Sequence, residues 1–143
     1  MATDTPKPKP LPDTKDPDIG PFWTGTAAGK LQVKQCGACR RHHWPPRLGC
    51  PHCGSDQVAW VAVAPRGQVY SWTVVHRSQT QGFEPEVPYA VVLVALDEAP
   101  GVRMVGNLVD MKPDQLAAGS AVEAVFTPAG DGAVTLVNWR PAS

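Results

Sequence analysis

The chain has 143 residues and a formal net charge of zero, and 18% of its residues are charged. This length accommodates one ordinary domain, or a small metal-binding module beside a compact second domain. No stretch approaches the roughly 18 apolar residues of a membrane-spanning helix, and the N-terminus lacks the basic-then-apolar pattern of a signal peptide. The sequence therefore predicts a soluble, cytoplasmic protein with no membrane partner.

The first eighteen residues are rich in proline and in charges of both signs. They contain five prolines and almost no large apolar side chains. Such a segment cannot offset the conformational entropy that ordering would cost. We therefore predict that residues 1–18 form a disordered, extended arm.

A short helix is predicted to begin around Pro21 and to end at Gly29, with Phe22 and Trp23 as its apolar face. A helix this short is marginal in isolation and needs a surface to lie against. Two alternatives remain open for the aromatic pair. The side chains pack on the neighbouring part of the chain, or they contact a partner subunit.

All four cysteines of the chain fall in two Cys-x-x-Cys motifs separated by ten residues: Cys36, Cys39, Cys50 and Cys53. Each motif can present two thiolates to one ion, and together they complete a tetrahedral four-sulfur shell. A closed shell has no open position for substrate, so the predicted metal is structural. Disulfides within each motif are disfavoured, because they would close small strained loops and nothing indicates export.

The spacing of the cysteines does not by itself distinguish zinc from iron. The second motif, Cys50-Pro51-His52-Cys53-Gly54, resembles a rubredoxin knuckle, which leaves iron as an alternative. The first motif has the plain pattern of a zinc ribbon, and we therefore predict structural Zn²⁺. Gly54 is expected to supply the unhindered backbone that a tight knuckle requires.

Strands are predicted on either side of the cysteine motifs, from the alternation of apolar runs with Gly/Pro turns. Residues 88–96 are almost wholly apolar and are expected to be buried on both faces. One helical turn is predicted within 112–119. The remaining predicted strands are 31–35, 58–63, 68–77, 102–109, 121–126 and 133–139. Short strands of this kind fit a five-stranded barrel of the OB type.

Charge is distributed unevenly between the two predicted parts. Residues 30–55 contain five basic and no acidic side chains, whereas residues 60–143 contain five basic and eight acidic ones. A small cationic region suits a phosphate-bearing ligand or an acidic patch on another protein, and the alternative is a solvated surface. Arg40, Arg41 and Arg47 are the candidates for pairing with phosphates or with acidic residues of another subunit.

Independent catalysis is not predicted. The cysteines are committed to metal, and His76, the only histidine outside the ribbon, is more typical of a packed residue than of a general base. Asp97 and Glu98 are adjacent in the chain, so in a strand they point to opposite faces and do not share a substrate. No catalytic residue is assigned.

The motifs taken together resemble a two-part family. This family was first catalogued as a domain of unknown function. The parts of the chain that match it are Phe22-Trp23, the two cysteine motifs, the segment 67–77, Val87-Pro88-Tyr89 and the segment 119–126. The similarity covers about residues 19–140. It implies a mainly β fold with an N-terminal helix and a rubredoxin-like zinc ribbon (19–60), followed by a small OB-fold barrel (61–143).

The resemblance also implies a function. Members of this family partner thiolase-superfamily enzymes or acyl-CoA hydratases, and the chain is expected to be a non-catalytic accessory subunit that docks a thiolase-like catalytic subunit and helps to form its coenzyme A site. The acyl-CoA thioester would be a shared ligand, and a two-plus-two hetero-oligomer is expected. Phe22 and Trp23 are predicted at the partner interface. The predicted coenzyme A or substrate residues are Arg40, Arg41, Arg47, His76, Arg77 and Phe83.

Two other functions remain as alternatives. A single-stranded nucleic-acid-binding protein would need a cationic groove with exposed aromatic residues, but the barrel half carries more acidic than basic residues. Its aromatic residues Tyr70, Trp72 and Tyr89 are expected in the core, so no nucleic acid is expected as a partner. The other alternative is a pure assembly scaffold for an acyl-CoA hydratase.

Overall fold

The computed structural model describes residues 7–142. It is mainly β with one N-terminal helix, as predicted. Helix α1 spans Gly20–Ala27, and short 3-10 helices occupy Glu84–Glu86 and Pro113–Gln115. The strands are β1 (Leu31–Cys36), β2 (His42–His43), β3 (Val58–Val63), β4 (Arg66–Val75), β5 (Tyr89–Leu96), β6 (Arg103–Asn107), β7 (Ala121–Ala129) and β8 (Val134–Pro141). Within the described residues no helix is long and apolar enough to cross a membrane.

The ribbon, residues 31–63, is a three-stranded antiparallel sheet in the order β2-β1-β3. The first cysteine motif begins at the end of β1, and the second lies in the loop between β2 and β3. Leu31 and Val33 of β1 are buried. The structure therefore places the four cysteines at one end of a small sheet, which confirms the ribbon prediction.

The barrel, residues 66–141, is a five-stranded antiparallel sheet in the order β6-β5-β4-β7-β8. Its two edge strands meet, because Leu108 forms a parallel bridge with Trp139 and the Val109 amide donates to the Trp139 carbonyl at 2.8 Å. Trp139 is fully buried at this closure. Closure between the third and fifth strands of a five-stranded sheet is the OB-type arrangement, so that prediction is confirmed.

Strand β5 differs from its prediction. Its side chains alternate, with Ala90, Val92, Val94 and Leu96 buried and the intervening residues half-buried. The expectation of burial on both faces was wrong. An antiparallel barrel covers only the inner face of each strand, so an apolar outer face remains partly accessible.

The aromatic residues of β4 were also expected in the core, and this was wrong for two of them. Tyr70 is 52% exposed and Trp72 is 37% exposed. A β-bulge lies between Val69 and Ser71, and β7 pairs only with residues 66–68 of β4. The rest of the strand therefore has one neighbour only. The Tyr70 ring lies 3.8 Å from the Arg103 guanidinium, a cation–π contact on the outer face.

Helix α1 lies between the ribbon and the barrel, where it contacts both β1 and β8. Phe22 is buried, with its ring centroid 4.7 Å from that of Trp44 and 4.8 Å from that of Trp23. Trp44 in turn packs against Trp60 of the ribbon at 6.4 Å. The aromatic pair thus packs within the chain, and of the two only Trp23 keeps exposed surface; contact of the pair with a partner subunit stays a prediction.

The N-terminal arm was predicted to be disordered over residues 1–18. Residues 1–6 lie outside the described part of the chain. Residues 7–11 lie against the barrel, where Gln81 Nε2 donates to the Pro8 carbonyl at 2.8 Å and Lys9 pairs with Glu86. Composition alone does not indicate these contacts with a distant loop, and the disorder of the arm remains a prediction.

Candidate metal centre and ligand-binding residues

The four cysteine sulfurs form one cluster, with all Sγ atoms within 4.8 Å of one another. The shortest separations are 3.6 Å, between Cys36 and Cys53 and between Cys39 and Cys50. Both pairs join one motif to the other, and all four thiols are free rather than disulfide-bonded. Sulfurs around a tetrahedral zinc ion with Zn–S distances of about 2.3 Å would lie about 3.8 Å apart. The cluster therefore fits a four-thiolate zinc site.

The two motifs have matching backbone geometry. The Arg40 amide donates to the Cys36 carbonyl at 3.0 Å, and the Gly54 amide donates to the Cys50 carbonyl at 2.9 Å. In each knuckle the residue after the second cysteine is left-handed, with φ of 67° at Arg40 and 80° at Gly54. Gly54 thus has the role predicted from the sequence, whereas the first knuckle places an arginine at the equivalent position.

The electrostatics of the cluster favour a cation. A hydrogen bond from the Cys39 amide lowers the pKa of the Cys36 thiol to about 6. The Arg41 amide lowers the pKa of Cys39, but burial and the adjacent sulfurs outweigh it and raise that pKa to about 11. Sulfurs this close do not all ionise unaided, because neighbouring thiolates repel. A divalent ion removes that repulsion, and its binding releases the remaining protons.

The six predicted ligand residues lie in four places. Arg40, Arg41 and Arg47 are exposed on the ribbon, where Arg41 Nη1 lies 3.4 Å from His52 Nδ1. His76 lines a cavity of about 500 Å³ at the end of β4. Phe83 lines a second cavity of about 750 Å³, and Arg77 is exposed but lines neither cavity. Their roles remain predictions, and the structure does not gather them into a single pocket.

Sequence reasoning did not single out two lysines beside these cavities. Lys112 lines the smaller cavity together with His76 and Pro113. Lys9 of the arm lines the larger one and lies 4.7 Å from the centre of the Phe83 ring. Neither lysine stands in a motif, and each reaches its position through contacts between segments far apart in sequence, so no local signal could have found them.

The burial of His43, in β2, predicts how the stability of the chain depends on pH. It is 5% exposed, neither ring nitrogen has a hydrogen-bond partner among the described residues, and burial lowers its pKa. The unfolded chain then binds a proton more readily than the folded one, so stability should fall as the pH drops below about 6.5, the usual histidine value. His43→Phe should reduce that fall, as measured by urea unfolding at about pH 7.5 and about pH 5.5.

Leu48→Phe provides the control for this prediction, because Leu48 is 78% exposed and the substitution changes no titratable group. It should leave the pH dependence of unfolding as it is in the parent chain. Acid release of metal affects parent and variants alike. An unchanged pH dependence in His43→Phe would contradict the interpretation.

Comparison with known proteins agrees with this architecture. Residues 23–59 match the family model of the ChsH2 rubredoxin-like zinc ribbon domain, and residues 60–127 match that of the ChsH2 C-terminal OB-fold domain. The zinc named for the first domain favours zinc over iron at the four cysteines.

Two curated relatives extend beyond the matched region. A probable enoyl-CoA hydratase alpha subunit of Thermomonospora curvata is 41% identical over 122 residues, which are 85% of this chain and 37% of the relative. A DUF35 domain-containing scaffold protein of Methanocaldococcus jannaschii is 34% identical over 93 residues, 64% of each protein. The chain thus spans less than two thirds of the length of both relatives.

A solved structure matches this chain over more of both chains than the two relatives do. A chain of the Ltp2-ChsH2(DUF35) aldolase superposes with a TM-score of 0.80 at 35% identity, covering 93% of this chain and all of that one. Together with the matches to both ChsH2 domain models, this similarity shows that the chain belongs to the ChsH2 (DUF35) family, which joins a rubredoxin-like zinc ribbon to an OB-fold domain.

Proposed function

We propose that this chain is the non-catalytic zinc-binding subunit of a thiolase-superfamily acyl-CoA enzyme, whether thiolase, aldolase or acyltransferase. It docks the catalytic subunit and helps to form the coenzyme A site. The observation that carries this proposal is the match to the whole of a chain from the Ltp2-ChsH2(DUF35) aldolase, whose name joins a DUF35 chain to a second component.

The chemistry of the chain supports an accessory role. All four cysteines belong to the metal cluster, so none is free to act as the nucleophile that thiolase-type chemistry requires. A closed four-thiolate site has no position for a substrate. The reacting groups would therefore come from the catalytic subunit.

The exposed arginines of the ribbon are consistent with binding of an anionic ligand or an acidic partner surface. Among the described residues Arg40, Arg41 and Arg47 form no salt bridge within the chain. Arg40 also has a left-handed backbone, where the matching position of the other knuckle is glycine. A residue with a side chain costs roughly 1–2 kcal/mol in this conformation. An arginine at a position that suits glycine is consistent with a role for the guanidinium in binding the phosphates of coenzyme A or acidic partner residues.

A second candidate is a scaffold for an acyl-CoA hydratase that never touches the ligand. The names of the relatives favour it, since one is a hydratase alpha subunit and another a scaffold protein. The two candidates differ in whether ribbon substitutions change the kinetics of the assembled enzyme or only its assembly.

The first test is affinity capture of the tagged chain from its native host. A thiolase-like subunit in equal amount, a two-plus-two mass and about one zinc per chain are expected. Capture of a hydratase alone would favour the scaffold candidate. Capture of nucleic acid, or of no protein, would contradict both candidates.

Arg40→Gly separates ligand contact from folding. It removes the guanidinium and relieves the left-handed strain, so the chain should unfold at equal or higher urea while the assembled enzyme shows a raised KM for acyl-CoA. Asp110→Gly is the matched control, because Asp110 also has positive φ, at 58°, and lines neither cavity. An unchanged KM with intact assembly would assign the ribbon to scaffolding.

A further inference from the structure

A cavity of about 750 Å³ is lined by helix α1, the ribbon and the barrel. This volume falls within the range of roughly 300–1,000 Å³ typical of small-molecule sites. The walls are mainly apolar, with aromatic rings from α1 and the ribbon facing aliphatic side chains of β6 and β8. The residues that form the two main walls are Phe22, Trp23, Trp44, Met104, Val105 and Leu136.

The N-terminal arm forms a further wall of this cavity. Pro8, Lys9, Pro10 and Leu11 line it, together with Phe83 from the loop before β5. The arm therefore crosses from the 81–86 loop towards the β7–β8 hairpin and covers one side of the space. Proline at alternate positions keeps such a segment extended, which suits a crossing of this kind.

Two glycines make room for the arm at the places where it crosses. A Cβ atom at Gly82 would lie 2.9 Å from both the Lys7 carbonyl oxygen and the Lys9 amide nitrogen. A Cβ atom at Gly130 would overlap the Leu11 side chain. Positive φ already favours glycine at each position, and the absence of a side chain allows the close approach. The loop and the hairpin thus both present a surface that accepts the arm.

The contacts that hold the arm are few and solvent-exposed. The side chains of the Lys9–Glu86 ion pair are 39% and 44% exposed, and the Lys9 ammonium lies over the Phe83 ring. The Gln81 amide donates to Pro8. Exposed ion pairs contribute little to stability, so a segment held this way can open and close without unfolding the barrel.

We infer that residues 7–11 form a strap that closes the cavity over the apolar acyl group of a thioester ligand. The ligand class rests on the proposed function. The site follows from the geometry, because a mainly apolar cavity that the arm covers on one side accepts a hydrocarbon group and disfavours the charged nucleotide of coenzyme A. Phe83, singled out from the sequence as a ligand residue, lies under the strap as part of that wall.

The cavity is tested by titrating the zinc-loaded full chain with decanoyl-CoA and with free coenzyme A, following tryptophan fluorescence. Decanoyl-CoA should bind at least about tenfold more tightly than coenzyme A, because only it carries the acyl group. Val105→Trp should abolish this difference by filling the cavity. Val105 is 61% exposed, so the substitution should not disturb the core. Leu48→Trp, on the exposed ribbon tip, is the control and should leave the difference intact.

The strap is tested separately by the rate at which decanoyl-CoA dissociates, measured by stopped flow. Lys9→Met and Glu86→Gln each break the ion pair and should speed dissociation by about threefold to tenfold. Lys15→Met is the matched control, since the Lys15 side chain forms no contact of this kind in the described structure. Equal dissociation rates in all variants would overturn the strap.

These outcomes are independent of partner capture, because the titration uses the chain alone. Equal binding of decanoyl-CoA and coenzyme A, or full binding by Val105→Trp, would overturn the cavity inference and leave the proposed function standing. Failure to capture a catalytic subunit while Val105→Trp loses decanoyl-CoA would remove the proposed function and support the cavity.

Discussion

Cys39→Ser is expected to yield a chain that binds no zinc and has an unfolded ribbon. The ribbon sheet is small, with a two-residue β2, and the four cysteine thiols do not all ionise without a cation. Structural zinc in finger peptides provides on the order of 10–16 kcal/mol of apparent binding energy, which becomes folding energy. Loss of one ligand should remove most of it. Zinc content by elemental mass spectrometry and amide dispersion by NMR provide the measurements.

The matched control for the zinc ligand is Leu48→Ser. Leu48 lies between the two cysteine motifs but is 78% exposed, so its substitution should change neither zinc content nor the spectrum. Chelation of zinc from the parent chain should reproduce the effect of Cys39→Ser on the ribbon. A soluble, metal-free and fully dispersed spectrum of Cys39→Ser would show that the ribbon folds without metal.

Trp139→Ala is expected to have the second largest effect, by opening the barrel. Trp139 is fully buried where β8 meets β6, and its ring packs against Gly106 so closely that a Cβ there would lie 2.7 Å from its Cδ1 atom. Truncating a buried tryptophan typically costs about 3–5 kcal/mol, which is a large share of the stability of a domain this size. Urea unfolding followed by circular dichroism measures the loss.

The same substitution at Trp72 tests whether burial is the cause. Trp72 is 37% exposed on the part of β4 with a single neighbour, so Trp72→Ala should cost much less than Trp139→Ala. Comparable losses in the two variants would contradict the assignment of Trp139 as the residue on which closure depends.

The metal centre and most strands were predictable because their signals are local. Two Cys-x-x-Cys motifs specify a metal site by spacing alone, and the structure brings their sulfurs together. Strand β3 has the predicted bounds, Val58–Val63. Strand β7 was expected to end at Phe126 but continues to Ala129, because its pairing with β8 extends until the hairpin turn. Proline and glycine marked a turn in the right region without giving its first residue.

Features that depend on distant contacts were not predictable. The exposure of Tyr70 follows from a bulge and from the short pairing of β7 with β4, neither of which has a sequence signature. The position of residues 7–11 against the barrel depends on contacts with a loop more than seventy residues away. The candidate ligand residues were chosen by chemical type, and chemical type does not show whether Phe83 and His76 share a pocket.

The closure of the barrel through Leu108 and Trp139 has a consequence for the order of events during synthesis. The ribbon is complete once residue 63 has left the ribosome, and its contacts are local. The barrel cannot close until β8, the last strand described, has emerged to pair with β7 and bridge β6. Contacts distant in sequence form late and slowly. We therefore expect zinc binding to precede barrel closure. When zinc is scarce, the ribbon would remain unfolded while the strands of the barrel emerge.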